Sequence, residues 1–296
     1  MGRAKVFAGF IILIAAGWLN ACDREHPITV GSKNFTEQVI LGEIVAQHLE
    51  HRLSRRVDRK FNLGGTLLAH QALIKGDIDL YPEYVGTALT AVLKLPATSD
   101  PAGMWELVRS NYQRQFGIQW IDPLGYNNTF AMVIRGEDAR NHGIASLSQA
   151  AQYAPGWAMG MGYEFQQRPD GLAGLMKIYH LPLKGSPVTL DLGLLYQALE
   201  RKQVDMVAGN ATDGKLAVLD VAVLADDQHY FPSYQAALAV RDAALQSEPR
   251  LQQAVAELSG KFSDVTMRRL NHQVDGEHRP VREVAERFLR DMKMIE

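Results

Sequence analysis

Short apolar strands alternating with amphipathic helices from residue 28 onward predict an α/β protein with parallel sheets flanked by helices. Length sets the scale. About 275 residues remain once an N-terminal leader is set aside, enough for two lobes of ordinary domain size. The turns at the carboxyl ends of the strands are rich in Gly, Ser, Thr and Asn, and ligands of open α/β sheets bind at those ends. Two such lobes facing each other make a cleft that can close on a small molecule.

The elements follow in order. Ile28 to Ser32 reads as a short buried strand entering a loop, and Asn34 to Gln38 opens a helix whose apolar face is Val39, Ile40, Ile44, Val45 and Leu49. Asn34 with Gln38, or Thr36, is placed to cap that helix. The stretch from Arg55 turns extended and ends in Gly64-Gly65-Thr66. Leu67 to Ile74 is helical, with Gly76 as its C-cap. Ile78 to Tyr81 is a strand, and Pro82 to Thr87 a turn leading into a helix. Met104 to Phe116 is a helix, Ile118 to Ile121 a strand, and Phe130 to Ile134 another after the turn at Asp122-Pro123-Leu124-Gly125. The second half repeats the alternation. Helices span Ser146 to Tyr153, Gly171 to Tyr179 and Gly193 to Glu200. Strands span Trp157 to Met161, Val204 to Ala208 and Val221 to Leu224. Gly209 to Gly214 is a loop of turn residues. From Pro249 the chain reads as helix over Leu251 to Leu258, Ser263 to His272 and Val281 to Met294.

The N-terminus carries a basic head, with Arg3 and Lys5, an apolar run from Val6 to Leu19, and Leu19-Asn20-Ala21-Cys22 with the only cysteine of the chain. A basic head, a short apolar run and a small residue before a cut describe a secretory signal peptide over residues 1–21. A cysteine directly after that residue resembles a bacterial lipobox. Lipidation of Cys22 would then anchor an exported protein to a membrane, in the periplasm or at the cell surface, since a diacyl group suffices for stable attachment. The run is shorter than the roughly 20 residues a spanning helix needs. An uncleaved anchor and an incidental buried thiol are the alternatives. With its sole cysteine at the cut, the exported chain forms no intramolecular disulfide, so its stability comes from burial.

The formal net charge is −2, and removing Arg3 and Lys5 takes it to −4. That argues against nucleic acid as partner, which needs a basic face. The sequence contains no nucleophile elbow, phosphate loop or zinc helix motif. His48 and His51 sit one turn apart but beside Arg52, Arg55 and Arg56, as on a solvated face. Asp77 with Asp79, and Asp226 with Asp227, lack calcium-loop spacing. Neither a metal site, a cofactor nor an enzyme is therefore expected. The positive signal is aromatic residues at turns: Tyr81, Tyr84, Tyr126, Tyr163, Tyr230, Phe231 and Tyr234. Ring faces attract a quaternary ammonium ion, which has no N–H to donate. Lys33 and Arg168 are the loop cations for a carboxylate at the ligand's other end. Half-buried packing is the alternative role for any one of these tyrosines.

The ordered set Gly31-Ser32-Lys33-Asn34-Phe35-Thr36-Glu37-Gln38, Asn62 to Thr66, Gly76 to Thr87, Pro123 to Thr129, Glu164 to Gly171, Ala211 to Gly214 and Phe231-Pro232-Ser233-Tyr234 resembles substrate-binding proteins of osmoprotectant (glycine betaine, choline, carnitine) ABC transporters. The resemblance implies a two-lobed type II periplasmic-binding-protein fold, with lobe 1 over 27–127 plus 233–296 and lobe 2 over 128–232. It implies that Tyr84, Tyr126 and Tyr234 cage a trimethylammonium group, and that Lys33, Thr87 and Arg168 hold the carboxylate or line that end. It implies a monomeric, non-enzymatic lipoprotein that hands its ligand to an ABC permease and ATPase. Where many betaine binders of this family carry a further tyrosine, this chain has Asn210. The amide either replaces a cage wall, which would suit another trimethylammonium compound such as ergothioneine, or faces away as a turn residue. A solute sensor without transport and an enzyme on a borrowed fold are the competing functions.

Overall fold

The computed structural model describes residues 27–96, 100–153 and 155–296. The apolar leader and Cys22 lie outside them. None of the described helices is long and apolar enough to cross a membrane.

Two five-stranded sheets divide the chain. The first has the order β2-β1-β3-β10-β4, built from Ile28–Gly31 (β1), Val57–Lys60 (β2), Leu80–Tyr84 (β3), Ile118–Trp120 (β4) and Ala236–Arg241 (β10). The second has the order β7-β6-β8-β5-β9, built from Phe130–Arg135 (β5), Met159–Met161 (β6), Val188–Thr189 (β7), Met206–Asn210 (β8) and Val221–Val223 (β9). In each sheet one strand opposes the rest. β10 runs antiparallel to β3 and β4, and β5 antiparallel to β8 and β9. These are the two strands that arrive by crossing from the other sheet. The crossings lie side by side, bridged at Asn127 and Gln235.

β10 is not among the strands read from the sequence. Its run Ala236-Ala237-Leu238-Ala239-Val240 lacks the β-branched and alternating pattern that marks a half-exposed strand. It is buried throughout. Ala236, Leu238 and Val240 face one core, with the helices Thr36–Leu53, Arg250–Ala256, Asp264–Asp275 and Val281–Asp291. Ala237 and Ala239 face another, with the helices Thr66–Lys75 and Pro101–Phe116. The second sheet is covered on both faces in the same way. β3 likewise runs through Pro82, where a turn is expected. Pro82 pairs with Leu238, and on the other side the ladder with β1 reaches only Leu80, so the missing N–H interrupts no pairing there.

Caps fix where the helices begin and end. Gly76 adopts a φ of +80° and donates to Ala72 and Leu73, closing the helix Thr66–Lys75. Ser146 and Gln149 form a full capping box on Leu147–Ala150. The helix Thr36–Leu53 begins differently from expectation. Phe35 is its N-cap without a side-chain bond, Thr36 donates to Asp275 at 2.7 Å, and Gln38 accepts from the Lys33 N–H at 3.3 Å. The start is thus fixed by tertiary contacts.

Leu238 is fully buried on β10, an interior strand of the first sheet. Leu238→Ala should lower unfolding free energy by about 2–5 kcal/mol in denaturant titration.

Candidate functional site

The site is built at the carboxyl ends of the strands, where the two sheets face each other. Lys33 follows β1, and Tyr84 ends β3, with Thr87 one helical turn beyond. Phe130 and Asn210 pair across β5 and β8. Arg168 follows the short helix Tyr163–Gln167, and Tyr234 lies on the return crossing. Together they enclose a cavity of about 200 Å³, lined also by Phe35, Asn128, Glu164, Phe165 and Asp191.

Six of the seven residues proposed from sequence line this cavity: Lys33, Tyr84, Thr87, Arg168, Asn210 and Tyr234. Tyr126 is not among the lining residues. Its ring packs against Phe262 and its hydroxyl donates to Glu37 at 2.7 Å, so it serves the support behind the wall. Phe35, Phe130 and Phe165 supply rings that the tyrosine pattern missed. Their positions, beside Lys33, at the first residue of β5 and inside the Glu164–Gly171 motif, were the available signals.

Both cations of the cavity carry their own carboxylates. The Lys33 ammonium donates to Glu83 at 2.5 Å and to the Thr66 hydroxyl at 3.0 Å. Glu83 is fully buried and also accepts from the Tyr81 hydroxyl at 2.9 Å and the Tyr84 N–H at 2.7 Å. Arg168 grips Asp170 through Nε at 2.9 Å and Nη2 at 2.6 Å, and gives Nη1 to Thr87 Oγ1 at 2.9 Å. Its guanidinium lies 5.1 Å from the Phe130 ring centre and 5.7 Å from that of Tyr234. Burial pushes the Asp170 carboxyl up, but the Arg168 guanidinium and the Tyr234 and Thr90 hydroxyls outweigh it and hold it below its ordinary value.

The rings are fixed by their hydroxyls. Tyr84 donates to Glu37 at 2.6 Å, and Tyr234 to Asp170 at 2.5 Å. Burial, then the adjacent carboxylate, raises both phenols well above their ordinary range, so they stay neutral donors. Glu37 also accepts from Tyr126, from Asn128 at 3.0 Å, from Thr212 at 2.5 Å and from Asn271 at 3.1 Å. Glu164, from the half built on the second sheet, accepts from the Thr66 N–H at 2.5 Å and its hydroxyl at 3.1 Å. A Cβ on Gly65 would stand 2.5 Å from the Glu164 carboxylate, so a larger residue there would push that side chain aside from Thr66. Asn210 lines the cavity instead of facing away. Its N–H donates to Asp213 at 2.8 Å, and burial pushes the Asp213 carboxyl up to about 6.

Two α/β halves enclosing a ring-lined cleft define a solute-binding protein of the type II periplasmic binding fold. The chain belongs to the family of substrate-binding domains of ABC-type glycine betaine transport systems, whose profile matches residues 26–291. An ergothioneine transport permease/ergothioneine binding protein of Helicobacter pylori is 36% identical over 285 residues, which is 95% of this chain and 50% of that protein. The chain thus spans half the length of that relative. A glycine-betaine-binding protein of Pseudomonas aeruginosa is 34% identical over 294 residues, covering 96% of this chain and 92% of that one. A crystal structure described as a glycine betaine/carnitine/choline ABC transporter matches with a TM-score of 0.76 at 29% identity, over 91% of this chain and 100% of that one.

Two predictions follow from the buried charges. Lys33→Met leaves Glu83 buried without its cation and should cost about 3–5 kcal/mol of stability, part of which Glu83→Gln in the same chain restores. Asp213 binds its proton more tightly folded than unfolded, so its contribution to stability is present at low pH and is lost as pH rises from 3.8 to about 6. The melting temperature of Asp213→Asn minus that of the parent should therefore increase across that window.

Proposed function

We propose that this protein is the extracytoplasmic solute-binding component of an ABC importer. It captures a quaternary ammonium osmoprotectant, such as glycine betaine, choline or carnitine, and delivers it to a permease and its ATPase. Lipidation of Cys22 would hold it at the membrane surface. The observation that carries this reading is the cavity wall: Phe35, Tyr84, Phe130, Phe165 and Tyr234 in one small volume, with the hydroxyls of both tyrosines committed to buried carboxylates. Such a wall offers ring faces and no spare O–H donor from those phenols, which suits a trimethylammonium group. Binding here requires no bond to be broken, and the family is one of transport proteins.

The carboxylate of a betaine fits Arg168 and Thr87. Three of the five guanidinium N–H groups are used by Asp170 and Thr87, and two remain. Thr87 accepts from Arg168 and keeps its own proton to donate. Lys33 is committed to Glu83 and Thr66 and acts as support behind that end. The amide of Asn210 favours a second ligand, ergothioneine, which has a trimethylammonium head and a larger polar group. The similarity to the ergothioneine-binding relative points the same way.

A thermal-shift panel of glycine betaine, choline, carnitine, proline betaine and ergothioneine, with glycine as control, tests the reading. A ligand present at 100 times its Kd stabilises the native state by about 2.7 kcal/mol. The expected outcome is a raised melting temperature with at least one quaternary compound and none with glycine. Tyr234→Ala should remove the shift. A panel without any shift would overturn the assignment.

A further inference from the structure

The helix Thr66–Lys75 starts without a cap of its own. Its N-cap is Gly65, which has no side chain to offer, and its first turn carries no acidic residue. The first N–H groups of a helix have no partner inside it and need one from elsewhere. The helices Pro101–Phe116 and Asp264–Asp275 take theirs from the residue directly before them, Asp100 and Ser263. Here the partner comes from the half built on the second sheet. Glu164 Oε1 accepts the Thr66 N–H at 2.5 Å, and Oε2 accepts the Thr66 hydroxyl at 3.1 Å. A carboxylate is the group that the positive end of the helix dipole favours.

Two features tie this cap to the cleft. Gly65 lies in extended backbone, with φ −76° and ψ −176°, a conformation open to any residue, so what glycine supplies is space. A Cβ there would fall 2.5 Å from Glu164 Oε1, the oxygen that takes the Thr66 N–H. The Thr66 hydroxyl also accepts from the Lys33 ammonium at 3.0 Å, and Glu164 Oε2 lies 4.0 Å from Arg168 Nη1. Gly65, Lys33, Glu164 and Arg168 all line the ring-lined cavity. The cap therefore forms at the cavity wall and from both halves at once. When the halves part, the Thr66 N–H and the helix end turn to water.

We propose that Glu164 is a positioning residue for ligand capture: it caps the helix Thr66–Lys75 from the opposite half, so that closure of the cleft completes that helix. The inference rests on the reading that the halves close on a small solute, and not on which solute that is. Glu164 acts through Thr66 and not on the ligand. Every ligand that closes the cleft gains the same cap, so the contribution is uniform across ligands. A capping side chain at position 65 would serve the helix in the open and closed states alike, and closure would then gain nothing from Glu164.

The test is isothermal titration calorimetry of the purified protein with glycine betaine, choline, carnitine, proline betaine and ergothioneine. Glu164→Ala should weaken every probe that the parent binds by the same factor, about fivefold, the equivalent of about 1 kcal/mol for a lost N-cap. Gly65→Ser supplies a local cap and displaces Glu164. It should weaken binding by a similar factor while the melting temperature of the unliganded protein holds or rises, a combination that a damaged fold does not give. The two losses should not add: the double variant should stay near about fivefold and not reach about twenty-five-fold. Glu164→Gln keeps an acceptor for the Thr66 N–H and should lose no more than about twofold. Unequal factors between choline, which has no carboxylate, and the zwitterions would make Glu164 a ligand contact and overturn the inference. Additive losses in the double variant, or parental affinity in Glu164→Ala, would overturn it as well. Where a single probe binds, additivity decides. Where Gly65→Ser does not fold, Glu164→Gln decides, and a loss equal to that of Glu164→Ala overturns the cap. Each of these results leaves the solute-binding reading standing, whereas a parent that binds none of the five probes overturns that reading and this inference with it.

Discussion

The carboxylate of Glu37 is the interaction on which the rest of the cleft depends. It sits in the first turn of the helix Thr36–Leu53, where the helix dipole favours a negative charge. It is 3% exposed and accepts hydrogen bonds from Tyr84, Tyr126, Asn128, Thr212 and Asn271. Hydrogen bonds to a charged group contribute about 1.5–3 kcal/mol each, and a buried donor left unmatched costs a similar amount. The donors come from β3, from the crossing toward the second sheet, from the loop after β8 and from the helix Asp264–Asp275. One side chain therefore fixes a cavity ring, the crossing and the contact between the two halves. Tyr84 cannot be placed independently of how the halves meet.

Around that point the charges of the cleft are paired before any ligand arrives. Lys33 has Glu83, and Arg168 has Asp170. Buried pairs of this kind add little net stability, because desolvating both partners offsets their attraction. Their consequence is geometric. Asp170 accepts from Arg168, Thr90 and Tyr234 at once, so the guanidinium, the Tyr234 ring and the helical segment after β3 are registered to one another. The cations are held in place and largely neutralised. Selection then falls to ring faces and to the few donors and acceptors that remain uncommitted.

How much of this was legible in the sequence varies by the physics of each residue. The alternation of strand and helix was legible because periodicity is local. β10 was not, because a strand buried on both faces and rich in alanine loses the period-two pattern that reveals a strand. Pro82 reads as a turn because its tolerance depends on which neighbouring strand stops short, a tertiary fact. Lys33 reads as a free cation for the same reason, since its partner Glu83 lies 50 residues away. Tyr126 had the right chemistry and the right kind of loop. Only the position of Glu37 sends its hydroxyl behind the wall. The cavity residues that motifs did carry, Tyr84, Thr87, Arg168 and Tyr234, lie where short sequence runs fix backbone at the ends of strands.

The seam between the halves has a composition suited to reversible contact. Thr66 meets Glu164, Thr87 meets Arg168, Thr90 meets Asp170, and Thr212 meets Glu37. Each joins a hydroxyl to a carboxyl or guanidinium group, and water can replace either partner when the surfaces separate, so such contacts do not commit the halves to each other as buried apolar area would. An apolar seam of the same area would hold the halves together whether or not the cleft were filled. With a polar seam, covering the apolar wall of the ring-lined cavity is a separate favourable contribution to holding the halves together, one that a ligand supplies. A ligand shifts such an equilibrium by its difference in affinity for the two states. Rings come from both halves, Tyr84 from one and Phe130 and Phe165 from the other, so a molecule held among them touches both halves at once.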